Sequence, residues 1–148
     1  MDFVRFIRTA FDYDRWANRQ WLSRLEGFKD MNRPYQILEH ILQAQQTWLT
    51  RAGASIGRQK RDMSLQELFD ITSDGWEQLM QQASPDEMIT YTNSRGETYT
   101  EPLGQIALHV INHGTYHRGQ LRGLAEAQGN ENFPETDLIL YLREHTQR

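Results

Sequence analysis

The sequence predicts an all-α protein: a four-helix bundle with a short β-hairpin before the fourth helix and a short C-terminal helix. Three observations predict it. Four long stretches repeat their apolar residues at the ~3.6-residue spacing of an α-helix. Between the third and fourth, a single segment alternates β-prone residues around turn material. The 148 residues, near the usual size of one domain, carry enough Trp, Phe and Tyr for one core, and no cysteine is present to staple it.

The first helix is expected from about Phe3 to Leu25. Phe3, Ile7, Ala10, Ala17, Trp21 and Leu25 share one face, and Asp14 falls on the same stripe, an unusual place for an acid. The second is expected from about Pro34 to Ala52, because proline suits a first helical turn whose N–H groups have no intrahelical partner. Its main stripe is Ile37, Ile41, Ala44, Trp48 and Ala52, and Leu38, Leu42 and Leu49 add a second strip that implies burial on two sides. After a loop from Gly53 to Met63, Ser64 and Glu67 read as a capping box that starts a third helix reaching about Ala83. Ile89–Thr92 and Glu97–Thr100 form the hairpin around Asn93, Ser94, Arg95 and Gly96. The fourth helix is expected from about Leu103 to Gln128, stopped at Gly129, and the last from about Glu135 to Arg143.

The net charge of −4 argues against general nucleic-acid binding, which requires a basic footprint. No run of ~18 apolar residues offers a membrane span. Charge interrupts the N-terminus at Asp2 and Arg5, unlike a secretory signal, so a cytoplasmic protein is expected. Without cysteine, a thiolate metal site is excluded, and thiol chemistry requires a thiol from another molecule.

The chemistry points to histidine. Of the five, His109, His113 and His117 recur at i, i+4 and i+8 on the fourth helix, the spacing that lets neighbouring imidazoles share one ion. The apolar stripe Ile106, Val110, His113, His117, Leu121 and Leu124 places two of them facing the bundle, whereas His109 is rotated about 60° from Ile106. Two inward imidazoles need partners, and one shared metal satisfies both. A zinc-like ion takes at least three protein ligands. The third is expected from His40, the one histidine inside another long amphipathic helix, since His145 lies near the chain end. The competing reading is that these are hydrogen-bonded core histidines.

The segment His109-Val110-Ile111-Asn112-His113-Gly114-Thr115-Tyr116-His117-Arg118-Gly119-Gln120 resembles the signature of the DinB/YfiT-like family. Tyr13–Asn18, Leu38–Leu42 and Pro134–Leu142 resemble its other motifs, in the right order along nearly the whole chain. The resemblance implies a bundle in up-down-down-up arrangement, often homodimeric. It implies a divalent metal, zinc or nickel, held by one histidine of the second helix and the last two of the signature: here His40, His113 and His117. It further implies, by analogy with some relatives, a metal-dependent transferase that activates a low-molecular-weight thiol such as bacillithiol, mycothiol or glutathione for attack on a small-molecule electrophile. A metal-dependent hydrolase and a metal- or ligand-binding stress protein without turnover stand beside it.

Other residues carry open readings. Asp14 either orients a metal-ligating imidazole or is a buried acid paired with Arg or Tyr, and Asn18 shares the ambiguity. Arg118 pairs with a carboxylate of substrate or of the protein. Gly119 is expected to permit close helix packing. Arg58, Lys60 and Arg61 either attract an acidic thiol or form a solvated loop. Trp16, opposite the first helix's core stripe, is a dimer contact or packs under the C-terminal segment.

Overall fold

The computed structural model describes residues 2–56 and 62–145. It contains α1 (Phe3–Leu22), α2 (Asn32–Arg51), α3 (Leu65–Gln82), β1 (Met88–Thr92), β2 (Thr98–Pro102), α4 (Leu103–Ala127) and α5 (Leu138–His145). The fold is all-α apart from the hairpin, as the periodicities predict. The basic-loop residues Arg58, Lys60 and Arg61 lie outside the described residues.

The bundle is a ring in which α1 and α2 each pack against both α3 and α4. Side-chain pairs fix the directions. Arg8–Glu77 and Arg19–Asp70 run α1 antiparallel to α3. His40–His113 and Trp48–His109 run α2 antiparallel to α4. A Cβ on Gly104 would meet the Phe3 ring, while Asp14 pairs with Arg118, so α1 and α4 are parallel. The arrangement is up-down-down-up.

Local chemistry sets the ends. Ser64 accepts from the Glu67 N–H while the Glu67 carboxylate accepts from the Ser64 N–H, the expected capping box. Pro34 lies within the first turn of α2, where its missing N–H costs nothing. α1 ends three residues earlier than its apolar spacing predicts. Ser23 turns its hydroxyl onto the Gln20 carbonyl, and Leu25–Gly27 continues as a 3₁₀ turn that keeps Leu25 against the core. α5 begins at Leu138 rather than Glu135, because the Tyr13 hydroxyl donates to the Thr136 carbonyl and holds that stretch out of the helix. The hairpin pairs Met88 with Pro102 through Thr92 with Thr98, so the first strand starts one residue before the expected Ile89 and the second starts one residue after the expected Glu97 and ends two after the expected Thr100; Gly96 takes the left-handed turn position at φ +80°. β2 runs directly into α4. With Pro102 as N-cap, the first α4 N–H groups find acceptors in the preceding loop, Leu103 to the Glu87 carbonyl and Gly104 to the Pro85 carbonyl, both 2.8 Å.

Two apolar clusters fill the middle of the bundle, and a third, Tyr13, Ala17 and Tyr141, joins α1 to α5. One gathers Ile7, Phe11, Leu49, Trp76, Met80 and Val110, with Phe11 stacked on Trp76. The other gathers Trp21, Phe28, Ile37, Ile41, Phe69 and Leu121. Buried polar residues occupy α1, α2 and α4 alongside them: Asp14, Asn18, Gln45 and Arg118. Trp16 packs under the C-terminal helix, 5.3 Å from the Tyr141 ring, so the second of its two readings holds. No helix among the described residues is long and apolar enough to cross a membrane.

Candidate metal centre

Three imidazoles meet at the α2–α4 seam. His113 Nε2 lies 3.2 Å from His40 Nε2 and 3.1 Å from His117 Nε2. Among the described residues, His40, His113 and His117 form a group whose ligating atoms all lie within 4.8 Å of one another. Tetrahedral coordination at about 2.05 Å places two nitrogens roughly 3.3 Å apart, so the spacing suits one ion. The helices supply the convergence: His113 and His117 project one turn apart from α4, and His40 reaches across from antiparallel α2.

The donor set also fits on chemical grounds. His117 Nδ1 sits 2.6 Å from Gln120 Oε1. With Nδ1 donating there, neutral His117 presents a bare Nε2 lone pair to the other two rings. His113 Nε2 lies within 3.2 Å of two other ring nitrogens but offers one hydrogen-bonding position, so it cannot pair fully with both. A cation among them satisfies all three.

Charge state follows from the surroundings. Burial, and then the neighbouring imidazoles of His117, His40 and His109, push His113 down to about 4. Burial, followed by His117 and Arg33, lowers His40 as well. Both rings are therefore neutral at pH 7, the form that ligates metal.

The histidines do not face the bundle axis as the apolar stripe predicts. His113 and His117 are half-buried at the seam and His40 is exposed. The inner positions at this level of α4 belong to Gly114 and Arg118, the stripe running Val110, Gly114, Arg118, Leu121 and Ala125. Arg118 Nη1 donates to Asp14 Oδ1 at 2.7 Å and to Asn18 Oδ1 at 2.8 Å, while Asn18 and Gln45 donate to Asp14 Oδ2. Asp14 is thus a buried acid paired with arginine, and its partners include none of the three histidines. Arg118 correspondingly forms the salt bridge to a protein carboxylate.

The expectation for Gly119 fails: a Cβ there meets nothing within 4 Å. Gly114 has the packing role instead, since its Cβ would stand 2.6 Å from Asp14 Oδ1. His109 stays outside the triad, exposed and edge-on to Trp48 at 5.3 Å. His145, also exposed, stacks on Tyr141 at 4.2 Å. Sequence reasoning assigned no role to Gln120, although its place three residues after a ligand-type histidine is the spacing of a helical side-chain contact. It likewise missed Gln45, which buries a polar side chain on an otherwise apolar flank of α2.

The sequence model of the DinB family matches residues 4–148. Protein DinB of Bacillus subtilis (strain 168) is 23% identical over 162 aligned positions, covering 93% of this chain and 94% of the relative. No solved structure matches the chain. With a family match spanning almost every residue and a histidine triad able to hold a metal ion, this chain belongs to the DinB family.

Proposed function

We propose that His40, His113 and His117 hold one divalent ion, zinc or nickel, and that the protein is a metal-dependent transferase acting with a small external thiol. The observation that carries this reading is the convergence of three imidazole nitrogens at a seam open to solvent. Three protein ligands leave a coordination position for an incoming molecule, as in catalytic rather than structural sites. A bound ion would supply Lewis-acid chemistry, lowering the pKa of a thiol or water so that a nucleophile exists at neutral pH.

The chain's own residues prepare the site. Gln120 holds His117 in the tautomer with a free Nε2. Burial keeps His113 unprotonated. The chain has no cysteine, consistent with a thiol brought by a co-substrate. Its sulfur forms the new C–S bond, the electrophile's leaving group departs with its electron pair, and the thiol proton passes to solvent. Homodimerisation, which the family resemblance implies, belongs to the same proposal and is read from the solution mass.

The test is turnover of 1-chloro-2,4-dinitrobenzene by metal-loaded protein with glutathione, bacillithiol or mycothiol, against chelator-treated protein. A metal-dependent rate with one thiol, lost in His113→Ala, is expected. No such rate with any of the three contradicts the transferase reading. Ester hydrolysis without thiol would then indicate a hydrolase, and tight metal binding without turnover a binding protein.

A further inference from the structure

An open cleft of about 330 Å³ lies on the same seam as the histidine triad. Its walls are Trp48 of α2, Tyr91 and Glu101 of the hairpin, and Gln105, Ile106 and His109 of α4. The two helical walls continue the helices that carry the triad. His109 stands one turn, about 6 Å, before His113, and Trp48 two turns, about 12 Å, beyond His40. Antiparallel packing of α2 and α4 brings these two stretches together. The Trp48 and His109 rings are 5.3 Å apart, and the His109 ring is 5.8 Å from that of His113. The cleft is therefore the next place along the seam from the metal centre, on the side of the hairpin.

Aromatic rings set its shape. Tyr91 and His109 each meet Trp48 edge-on, at 75° and 71°, so both stand nearly perpendicular to it. Trp48 and Tyr91 are half-buried and His109 is exposed, so all three present ring surface to an incoming molecule. The first two are also held in place. The Tyr91 hydroxyl donates to Glu101 Oε2 at 2.6 Å, and the Arg51 guanidinium lies over Trp48 at 4.6 Å and Tyr91 at 5.3 Å without joining the wall. Such a preformed apolar recess with a few polar groups at its edge is the usual form of a small-molecule subsite, and ring faces and edges favour another ring. Glutathione, bacillithiol and mycothiol carry no aromatic ring, which leaves the cleft to the other reactant.

We propose that this cleft holds an aromatic ring of the electrophilic substrate while the reacting end of the same molecule lies at the ion, so that Trp48, Tyr91 and His109 select the substrate. The inference rests on the metal-dependent reading above.

The test separates the two. In the metal-free, ¹⁵N-labelled full chain, 2-phenylethanol is titrated while the Trp48 indole N–H resonance is followed, assigned by its loss in Trp48→Phe. A saturable shift is expected, and its absence overturns the inference whatever the metal does. Movement of that resonance on dilution of the protein alone also overturns it, since a second copy would then cover the cleft. In the zinc-loaded chain, acetohydroxamate, which ligates zinc through its two oxygens, is compared with phenylalkyl hydroxamates of two to four methylenes. The best phenyl tail should tighten binding at least about tenfold, the value of partly burying a ring. A cyclohexyl tail of the same reach has no π-face and should gain less; an equal gain overturns the aromatic assignment. Trp48→Ala should abolish the phenyl gain. Because Trp48 also packs on the core, the exposed His109→Ala serves as the second variant and should reduce the gain about threefold. The readout is the ratio of the two hydroxamate affinities, so a change at the ion itself cancels. Acetohydroxamate binding without a phenyl gain, or a gain undiminished in folded Trp48→Ala and in His109→Ala, overturns the inference alone. Failure of acetohydroxamate itself to bind contradicts the metal reading, and the inference falls with it.

Discussion

His117 is held from both sides of its ring, by Gln120 at Nδ1 and by the convergence on His113 at Nε2. Such outer contacts orient a ligand and raise its basicity. Gln120→Ala should therefore weaken metal affinity about 10–100-fold in chelator competition, with the fold intact, and an unchanged affinity would remove Gln120 from the site. His113 gives a pH dependence of definite sign. Its folded value of about 4 lies below its ordinary 6.5. Between the two, the unfolded chain takes up the proton and the folded chain does not, so this contribution to stability is full above pH 6.5 and is lost as pH falls towards 4. The shift of His40 acts in the same direction. Metal-free protein should lose denaturation midpoint over that window more steeply than His113→Gln does. Parallel pH profiles would show that the folded His113 titrates normally.

At the scale of the element, α4 shows what a sequence states and what it conceals. Its extent was legible from Leu103 almost to its end, because apolar spacing and the Gly129 stop are local signals. That His113 and His117 converge with His40 while His109 stays apart was legible too, from rotation about the helix. Their depth was not. A reading that tracks apolar residues steps from Val110 to His113, whereas the buried stripe steps through Gly114 and Arg118, residue types that do not register as core. The Asp14–Asn18–Gln45–Arg118 group was hidden for the same reason: each member is polar, and only tertiary contact shows that they satisfy one another. The late start of α5 likewise depends on a bond from Tyr13, over a hundred residues away in the chain.

The two glycines of α4 turn this into a measurable contrast. A methyl at Gly114 would press on a carboxylate fixed by three donors, and overpacking of this kind costs about 1–3 kcal/mol. At Gly119 a methyl meets nothing, and replacing helical glycine by alanine gains up to about 1 kcal/mol. Urea denaturation of Gly114→Ala and Gly119→Ala should show opposite signs. Equal effects would contradict the close approach of Gly114 to Asp14.

For the molecule as a whole, the Asp14–Arg118 pair ties α1 to α4 while Gln45 brings in α2, so the stability of the bundle depends on a polar group that cannot be halved. Arg118→Ala leaves the Asp14 carboxylate buried without its countercharge and should cost about 3–5 kcal/mol, a large part of the stability of a domain this size. The histidine triad joins α2 to α4 at the surface of the same bundle, so an ion bound there favours the folded state over the unfolded. At free metal a hundredfold above Kd the gain is about 2.7 kcal/mol, and Tm should rise by roughly 5–10 °C, a rise absent in His40→Ala.

The most direct measurement is the metal content of tag-free protein, purified without added metal and again after zinc or nickel titration and desalting. The histidine triad predicts about one ion per chain, falling to near none in His40→Ala and His113→Ala. A wild-type chain that carries no metal and takes up none would contradict the metal centre, leaving His40, His113 and His117 as hydrogen-bonded seam residues and removing the basis of the proposed reaction.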